Sequence, residues 1–277
     1  MSRVKNVFKK HRIQPLKRLG QHFLVDKFAL FKVISASELK TQNVVLEIGP
    51  GTGLLTQELA KRSRKVIAVE KDPKMIDILS ETLKGFRNIE VMWGDILKMQ
   101  SAKLKAKNSN VKFKIVGNLP FYLTAPVIRK FLEAKVQPEL MVLVVQKEVA
   151  QRICSKPPKM NLLTVAVQFY ADPKIVAYIP KTSFWPQPKV DSAILKITPR
   201  ADKYEADKSF VNKFFRLVKA GFSHPRKQLV NNLSQGLKLN KEETVALLSQ
   251  NNIKPEQRAE TLSLENWRAL AKSSITR

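Results

Sequence analysis

Cysteine is nearly absent: Cys154 stands alone in 277 residues. No intrachain disulfide can form, so stability must come from a buried core. The histidines, His11, His22 and His224, are scattered, and without paired cysteines they offer no metal-ligand spacing. Acids are scarce: 23 Asp and Glu stand against 50 Lys and Arg, a net charge of +27 and an isoelectric point near 10.2. Such a field calls for a polyanionic partner, most simply nucleic acid, held in a salt-dependent way. An acidic membrane surface is the competing partner, but no amphipathic segment stands out to meet one. Long apolar runs are missing too. Leu140 to Val145 is far too short to span a bilayer, and the first residues lack a secretory apolar region. A soluble protein in a reducing compartment, the cytoplasm, is expected.

The chain does hold an alternation of β-rich runs and helical patterns from residue 44 to about 150. That alternation predicts an α/β fold with a parallel sheet and right-handed crossovers. A helical pattern over 28–39 precedes it. Ile175 to Ile179 and Ala193 to Thr198 read as two closing strands joined by the Pro-rich stretch Lys181 to Val190. Lys103 to Lys112 reads as an exposed polar insert. From about 203 strand signals vanish, and four helices are expected around Phe214, Leu229, Leu247 and Trp267. The expected organisation is a basic arm over 1–18, a sheet domain over 19–200 and a small all-helical domain over 201–277. The arm carries Arg3, Lys5, Lys9, Lys10, Arg12, Lys17 and Arg18 without an acid. It reads as disordered when free and ordered on a polyanion.

Polar residues close each strand of the first half. Val44 to Ile48 leads into Gly49-Pro50-Gly51-Thr52-Gly53 and then a helical run. This is the strand, glycine turn and helix of a nucleotide-binding unit. Leu54 stands where a dinucleotide fingerprint would need its third Gly, and no Gly-Lys-Ser/Thr follows, so neither a dinucleotide fingerprint nor a phosphate loop is present. The next strand ends in Glu70, placed to accept from ribose hydroxyls. The third ends in Gly94-Asp95, and Asp95 is placed to accept from an amino group. Each acid alone would read as solvated loop charge; the ordered series does not.

The fourth strand runs into Asn118-Leu119-Pro120-Phe121. Asn118 Oδ1 and the Leu119 carbonyl can both accept from an exocyclic amine, and Phe121 can stack on its ring. Pro120 restricts Leu119 to extended geometry and aims that carbonyl. The bland alternative is a strand-to-helix loop with a core Phe.

With these residues the chain resembles the S-adenosylmethionine-dependent methyltransferases, and more narrowly the ribosomal RNA adenine-N6 dimethyltransferases. Further matching motifs are Leu19 to Leu24, Gln146 to Val149, Phe184 to Ser192 and Arg258 to Ser263. The resemblance implies a Rossmann-like seven-stranded sheet whose last strand inserts antiparallel, beside the helical domain. It implies S-adenosylmethionine as donor, held by Gln21, His22, Leu24, Glu47, Gly49, Gly51, Gly53, Glu70, Asp95 and Asn118. Glu47 either meets the donor's amine through water or orients the glycine loop. Asn118, Leu119, Phe121 and Phe184 would form the catalytic set, though Phe184 and Trp185 read equally well as core. Lys147, Lys189, Arg226, Lys227 and Arg258 would contact RNA phosphates; a solvated basic surface is the plain alternative.

The implied substrate is small-subunit ribosomal RNA, free or in a pre-30S particle, dimethylated at two adjacent adenosines during ribosome biogenesis by a metal-free monomer. A related large-subunit methyltransferase conferring antibiotic resistance is the nearest rival. A non-catalytic RNA-binding assembly or transcription factor on the same fold is another. Methylation of a protein glutamine usually pairs with Asn-Pro-Pro-Tyr, which this chain lacks.

Overall fold

A computed structural model describes residues 3–16, 19–99, 112–200 and 207–274. They form two compact units, Met1–Ala150 with Pro173–Pro199, and Gln151–Asp172 with Arg200–Arg277. Lys17, Arg18 and the expected polar insert, apart from Lys112, lie outside the described residues.

The first unit is built on β2 (Val44–Ile48), β3 (Lys65–Glu70), β4 (Ile89–Trp93), β5 (Phe113–Asn118), β6 (Leu140–Gln146), β7 (Ala171–Ile179) and β9 (Ser192–Pro199). Their order in the sheet is β4-β3-β2-β5-β6-β9-β7. β2 pairs in parallel with both β3 and β5, as do β3 with β4 and β5 with β6. β9 lies antiparallel on β6, with Gln146 opposite Ser192, so the implied antiparallel insertion is present. β2 is buried at all five positions because both faces of a parallel sheet are covered, which is why it reads as a continuous apolar run. Strand order reverses between β2 and β5. Open α/β sheets leave a crevice outside the carboxyl ends at such a reversal.

The helices start where local chemistry dictates. Asp26 caps α2 (Lys27–Ala36) by accepting from Phe28 and Ala29. Asp72 caps α4 (Pro73–Thr82), with Pro73 in the first turn. α3 (Leu54–Ala60) starts after Gly53, α5 (Thr124–Leu132) follows a 3-10 turn over Phe121–Leu123, and α6 (Lys147–Ile153) follows β6 directly.

The basic arm departs from expectation. Arg3–Lys10 is a helix, α1, with Val4 and Phe8 buried. Phe8 packs on Phe23 at 5.0 Å between centroids and edge-on against Trp185 at 5.1 Å. Lys10 and His11 pair with Glu81. Two apolar residues four apart suffice to dock one helix face, and the surrounding cations mask that pair in the sequence. A short ribbon of β1 (Phe23–Leu24) and β8 (Phe184–Trp185) lies in the same region, with Leu24 opposite Phe184.

In the second unit, α8 (Lys208–Gly221), α9 (Leu229–Leu237), α10 (Lys241–Gln250) and α11 (Leu264–Ser273) are the four expected helices. α7 (Leu162–Tyr170) joins them: Phe169 packs on Phe214, tilted by 33° at 4.3 Å between centroids, and meets Phe215 edge-on at 5.1 Å. That aromatic cluster explains why 151–172, expected in the sheet domain, groups here. Trp267 is fully buried. Asn232 Nδ2 donates to the carbonyls of Gly221 and His224, at 2.7 and 3.0 Å, and anchors the loop leaving α8.

Phe8→Ala removes the anchor of α1, and burying a Phe in a core is worth about 3–5 kcal/mol. Trypsin should cut the first twelve residues far faster in this variant while the rest of the chain stays resistant. Unchanged cleavage would show that Phe8 does not hold α1.

Candidate functional site

A cleft of about 840 Å³, its open mouth included, lies at the carboxyl ends of β2, β3, β4 and β5. All its lining residues belong to the first unit. Gly51 forms one wall at φ +56°. A Cβ there would sit 2.8 Å from the Phe23 ring, so only glycine lets this backbone pass. Gly51 N–H donates to Glu70 Oε2 at 3.2 Å, and Glu70 Oε1 accepts from the Lys71 and Asp72 N–H groups, each at 2.8 Å. Three backbone donors thus hold the Glu70 carboxylate at the strand end. Burial is the strongest influence on it and raises its pKa against those donors.

The end of β5 is tied to the segment before β1. Asn118 Nδ2 donates to the His22 carbonyl at 2.7 Å. A carbonyl can only accept, so the amide orientation is fixed. Oδ1 is left as the remaining acceptor, and no hydrogen bond reaches it among the described residues. His22 Nδ1 meets the Pro186 carbonyl at 2.7 Å, which places the proton on Nδ1, and its ring stacks on Phe121 at 5.8 Å and 25°. Pro120 adopts φ −52° and ψ 137°. Phe184 is buried, as its core reading expects, and it also lines the cleft. Gln21 is engaged at both ends: Oε1 accepts from Leu16 N–H and Nε2 donates to Asp72 Oδ2.

Asp95 Oδ1 accepts from Leu97 N–H and Oδ2 from Lys71 Nζ, both at 2.9 Å. Desolvation opposes its charge, but Lys71 and Leu97 outweigh it and hold the carboxyl below its usual range.

Among the expected residues, Gln21, His22, Gly49, Gly51, Glu70, Asp95, Asn118, Leu119, Phe121 and Phe184 line the cleft. Leu24, Glu47 and Gly53 do not. Leu24, on β1 of the ribbon, is buried in the core. Gly53 faces Leu79, Thr82 and Leu83 around α4. Glu47 is almost fully buried, and neither oxygen accepts a hydrogen bond among the described residues. Burial pushes its pKa up to about 8; the Thr56 hydroxyl acts against the rise without completing a bond, and the Glu70 charge adds to it. A motif gives the loop but not which of its side chains turn inward. Lys71 and Tyr122 line the cleft unanticipated. Each directly follows a residue singled out by its strand end, which was the available signal.

Lys189, Arg226, Lys227 and Arg258 are exposed and Lys147 is half-buried. Lys147 and Lys189 belong to the first unit, the other three to the second. Arg258 lies 4.0 Å from Glu260, and Lys147 Nζ lies 5.3 Å over the Tyr178 ring. Among the described residues no group of three His, Cys, Asp or Glu could hold a metal, and no helix is long and apolar enough to cross a membrane.

A sequence model of the family described as ribosomal RNA adenine dimethylase matches residues 13–273. The chain is 45% identical over 270 residues to a ribosomal RNA small subunit methyltransferase A of Dehalococcoides mccartyi, covering 98% of this chain and 92% of that protein. It is 40% identical to the protein of that name from Clostridioides difficile, over 96% and 93% of the two. Among solved structures it is similar to a dimethyladenosine transferase from Plasmodium falciparum, with TM-score 0.76, 26% identity and coverage of 88% and 94%. It is also similar to the 23S rRNA methyltransferase ErmE, with TM-score 0.73, 28% identity and coverage of 90% and 98%.

The buried Glu47 carries a pH signature. Its folded pKa of about 8 exceeds the ordinary value of 4.5, so the native state holds this proton more tightly than the unfolded chain. The stability it contributes is complete below about 4.5 and is lost as pH rises through about 8. Glu47→Gln should flatten the decline of melting temperature across that window. Parallel melting profiles for variant and wild type would contradict the assignment.

Proposed function

The chain belongs to the ribosomal RNA adenine dimethylase family, and from that we propose that it transfers methyl groups from S-adenosylmethionine to N6 of two adjacent adenosines near the 3′ end of small-subunit ribosomal RNA, giving N6,N6-dimethyladenosine. The observation that carries this reading is the fixed Asn118 amide, which keeps Oδ1 as an acceptor in a cleft shared with Leu119 and Phe121. The relatives at 45% and 40% identity are named for the small subunit, which favours that RNA over the large-subunit one.

The residues present suit the donor. Glu70 offers a carboxylate held by three N–H groups to a ribose diol. Gly49 and Gly51 allow close backbone approach. Asp95 is an acceptor for the adenine amine, and Gln21 and His22 close over the methionine end. Glu47 and Gly53 act from beneath, shaping the glycine loop, and Leu24 supports the ribbon that carries Phe23. When bound, the donor supplies an electrophilic methyl group and needs no metal.

The adenine N6 lone pair is delocalised into its ring and is weakly nucleophilic. Asn118 Oδ1 and the Leu119 carbonyl accept from its two N–H bonds, favour a pyramidal nitrogen and aim the lone pair. That stabilisation is realised mainly in the transition state. The alkylated nitrogen is acidic and sheds a proton to water. One N–H remains after the first transfer, enough to hold the ring for the second. Phe121, backed by His22, stacks on the flipped base, and Phe184 packs beside it. Lys147, Lys189, Arg226, Lys227 and Arg258 contact phosphates, which position RNA without reading its sequence. The enzyme works as a monomer in the cytoplasm, on free RNA or a pre-30S particle.

The test is methyl transfer to small-subunit particles with mass analysis of the product nucleosides. Asn118→Ala should lower kcat by at least about 100-fold, the scale of losing one transition-state hydrogen bond, with RNA affinity unchanged. Phe121→Ala should cost roughly 1–3 kcal/mol, the value of one base stack. Wild-type turnover in Asn118→Ala would refute the base-gripping role, and absence of dimethyladenosine from wild type would refute the activity.

A further inference from the structure

β7 is an edge strand with alternating exposure, and its penultimate residue is a large aromatic left in solvent: Tyr178 is 50% exposed. Lys147 Nζ lies 5.3 Å from its ring centroid. Asp191 fixes the surroundings, its carbonyl accepting from Lys147 N–H and its Oδ1 from Lys181 N–H, both at 3.0 Å. The only acid in this set is therefore engaged with backbone, and both lysines are held by it through their main chains. Ser192, the next residue, pairs with Gln146 and forms part of the cleft wall. An exposed ring with the Lys147 cation over it thus joins the cleft wall through the Gln146–Ser192 pair, since Lys147 directly follows Gln146.

We propose that Tyr178, with Lys147 over its ring, forms a stacking platform that seats the nucleotide flanking the target base in single-stranded RNA. The inference rests on the proposed function and deepens it by assigning the flanking nucleotide a seat. RNA fits this set best among partners: a base supplies a π face for the ring, while its phosphate meets the Lys147 ammonium. The chain's net charge of +27 draws the same ligand. A target base that leaves its stack exposes the face of its neighbour, and an aromatic beside the cleft can replace the lost stacking.

The test uses the full chain and a single-stranded oligoribonucleotide with two adjacent adenosines, carrying 2-aminopurine next to them. Binding should quench the probe. Tyr178→Ala should abolish the quench, weaken RNA affinity roughly 5- to 150-fold, the scale of one base–aromatic stack, and raise KM with kcat at saturation unchanged. Tyr178→Phe should keep both quench and affinity. Lys147→Ala should reduce the slope of log affinity against log salt by about 1. Calorimetry with S-adenosylhomocysteine reports that each variant is folded. If wild type methylates the RNA and Tyr178→Ala matches it in quench and affinity, the platform falls and the activity stands. If wild type neither binds nor methylates any RNA, both fall.

Discussion

One hydrogen bond organises the reactive end of this protein. Asn118 Nδ2 donates an N–H to the His22 carbonyl, and a carboxamide has only one other polar atom to present. The bond joins residues 96 positions apart and stitches the segment before the ribbon to the end of a central strand. With Nδ2 spent, the orientation of Oδ1 no longer depends on a bound partner. In the proposed reaction, a preset acceptor would cost no reorganisation when the amine arrives. His22 serves twice here, through its carbonyl and through the ring that backs Phe121.

The rest of the first unit supports that point. Strand order reverses beside it, which opens the crevice. The Glu70 carboxylate closes the neighbouring strand with three backbone donors, and the glycine turn lets the chain pass under Phe23. Carboxylates held in place on one side and neutral acceptors on the other divide the cleft electrostatically. Neutral acceptors are the appropriate choice where a weakly basic amine must be held without being protonated. The strong positive charge of the whole chain then concerns capture of a polyanion rather than chemistry.

Much of this was legible in the residues. Alternating apolar runs placed the sheet, and the polar residue after each run placed Glu70, Asp95 and Asn118 in the cleft, because parallel strands bring their carboxyl ends to one side. Which residues of a motif reach the cleft was not legible: Leu24, Glu47 and Gly53 share motifs with cleft residues yet do not line it. Two-residue strands such as Phe23–Leu24 and Phe184–Trp185 are too short to show a period, and their pairing spans a long stretch of sequence. α1 was hidden because two apolar positions carry its docking. The bond between Lys71 and Asp95 depends on strands meeting in space, which no local pattern records.

The most direct measurement is a crystal structure of the protein with S-adenosylhomocysteine and an adenosine-containing oligoribonucleotide. The adenine N6 should lie within about 3.2 Å of both Asn118 Oδ1 and the Leu119 carbonyl, with Asn118 Nδ2 still on His22. An adenine seated in the cleft with its amine turned away from those oxygens, or an Asn118 amide released from His22, would contradict this arrangement.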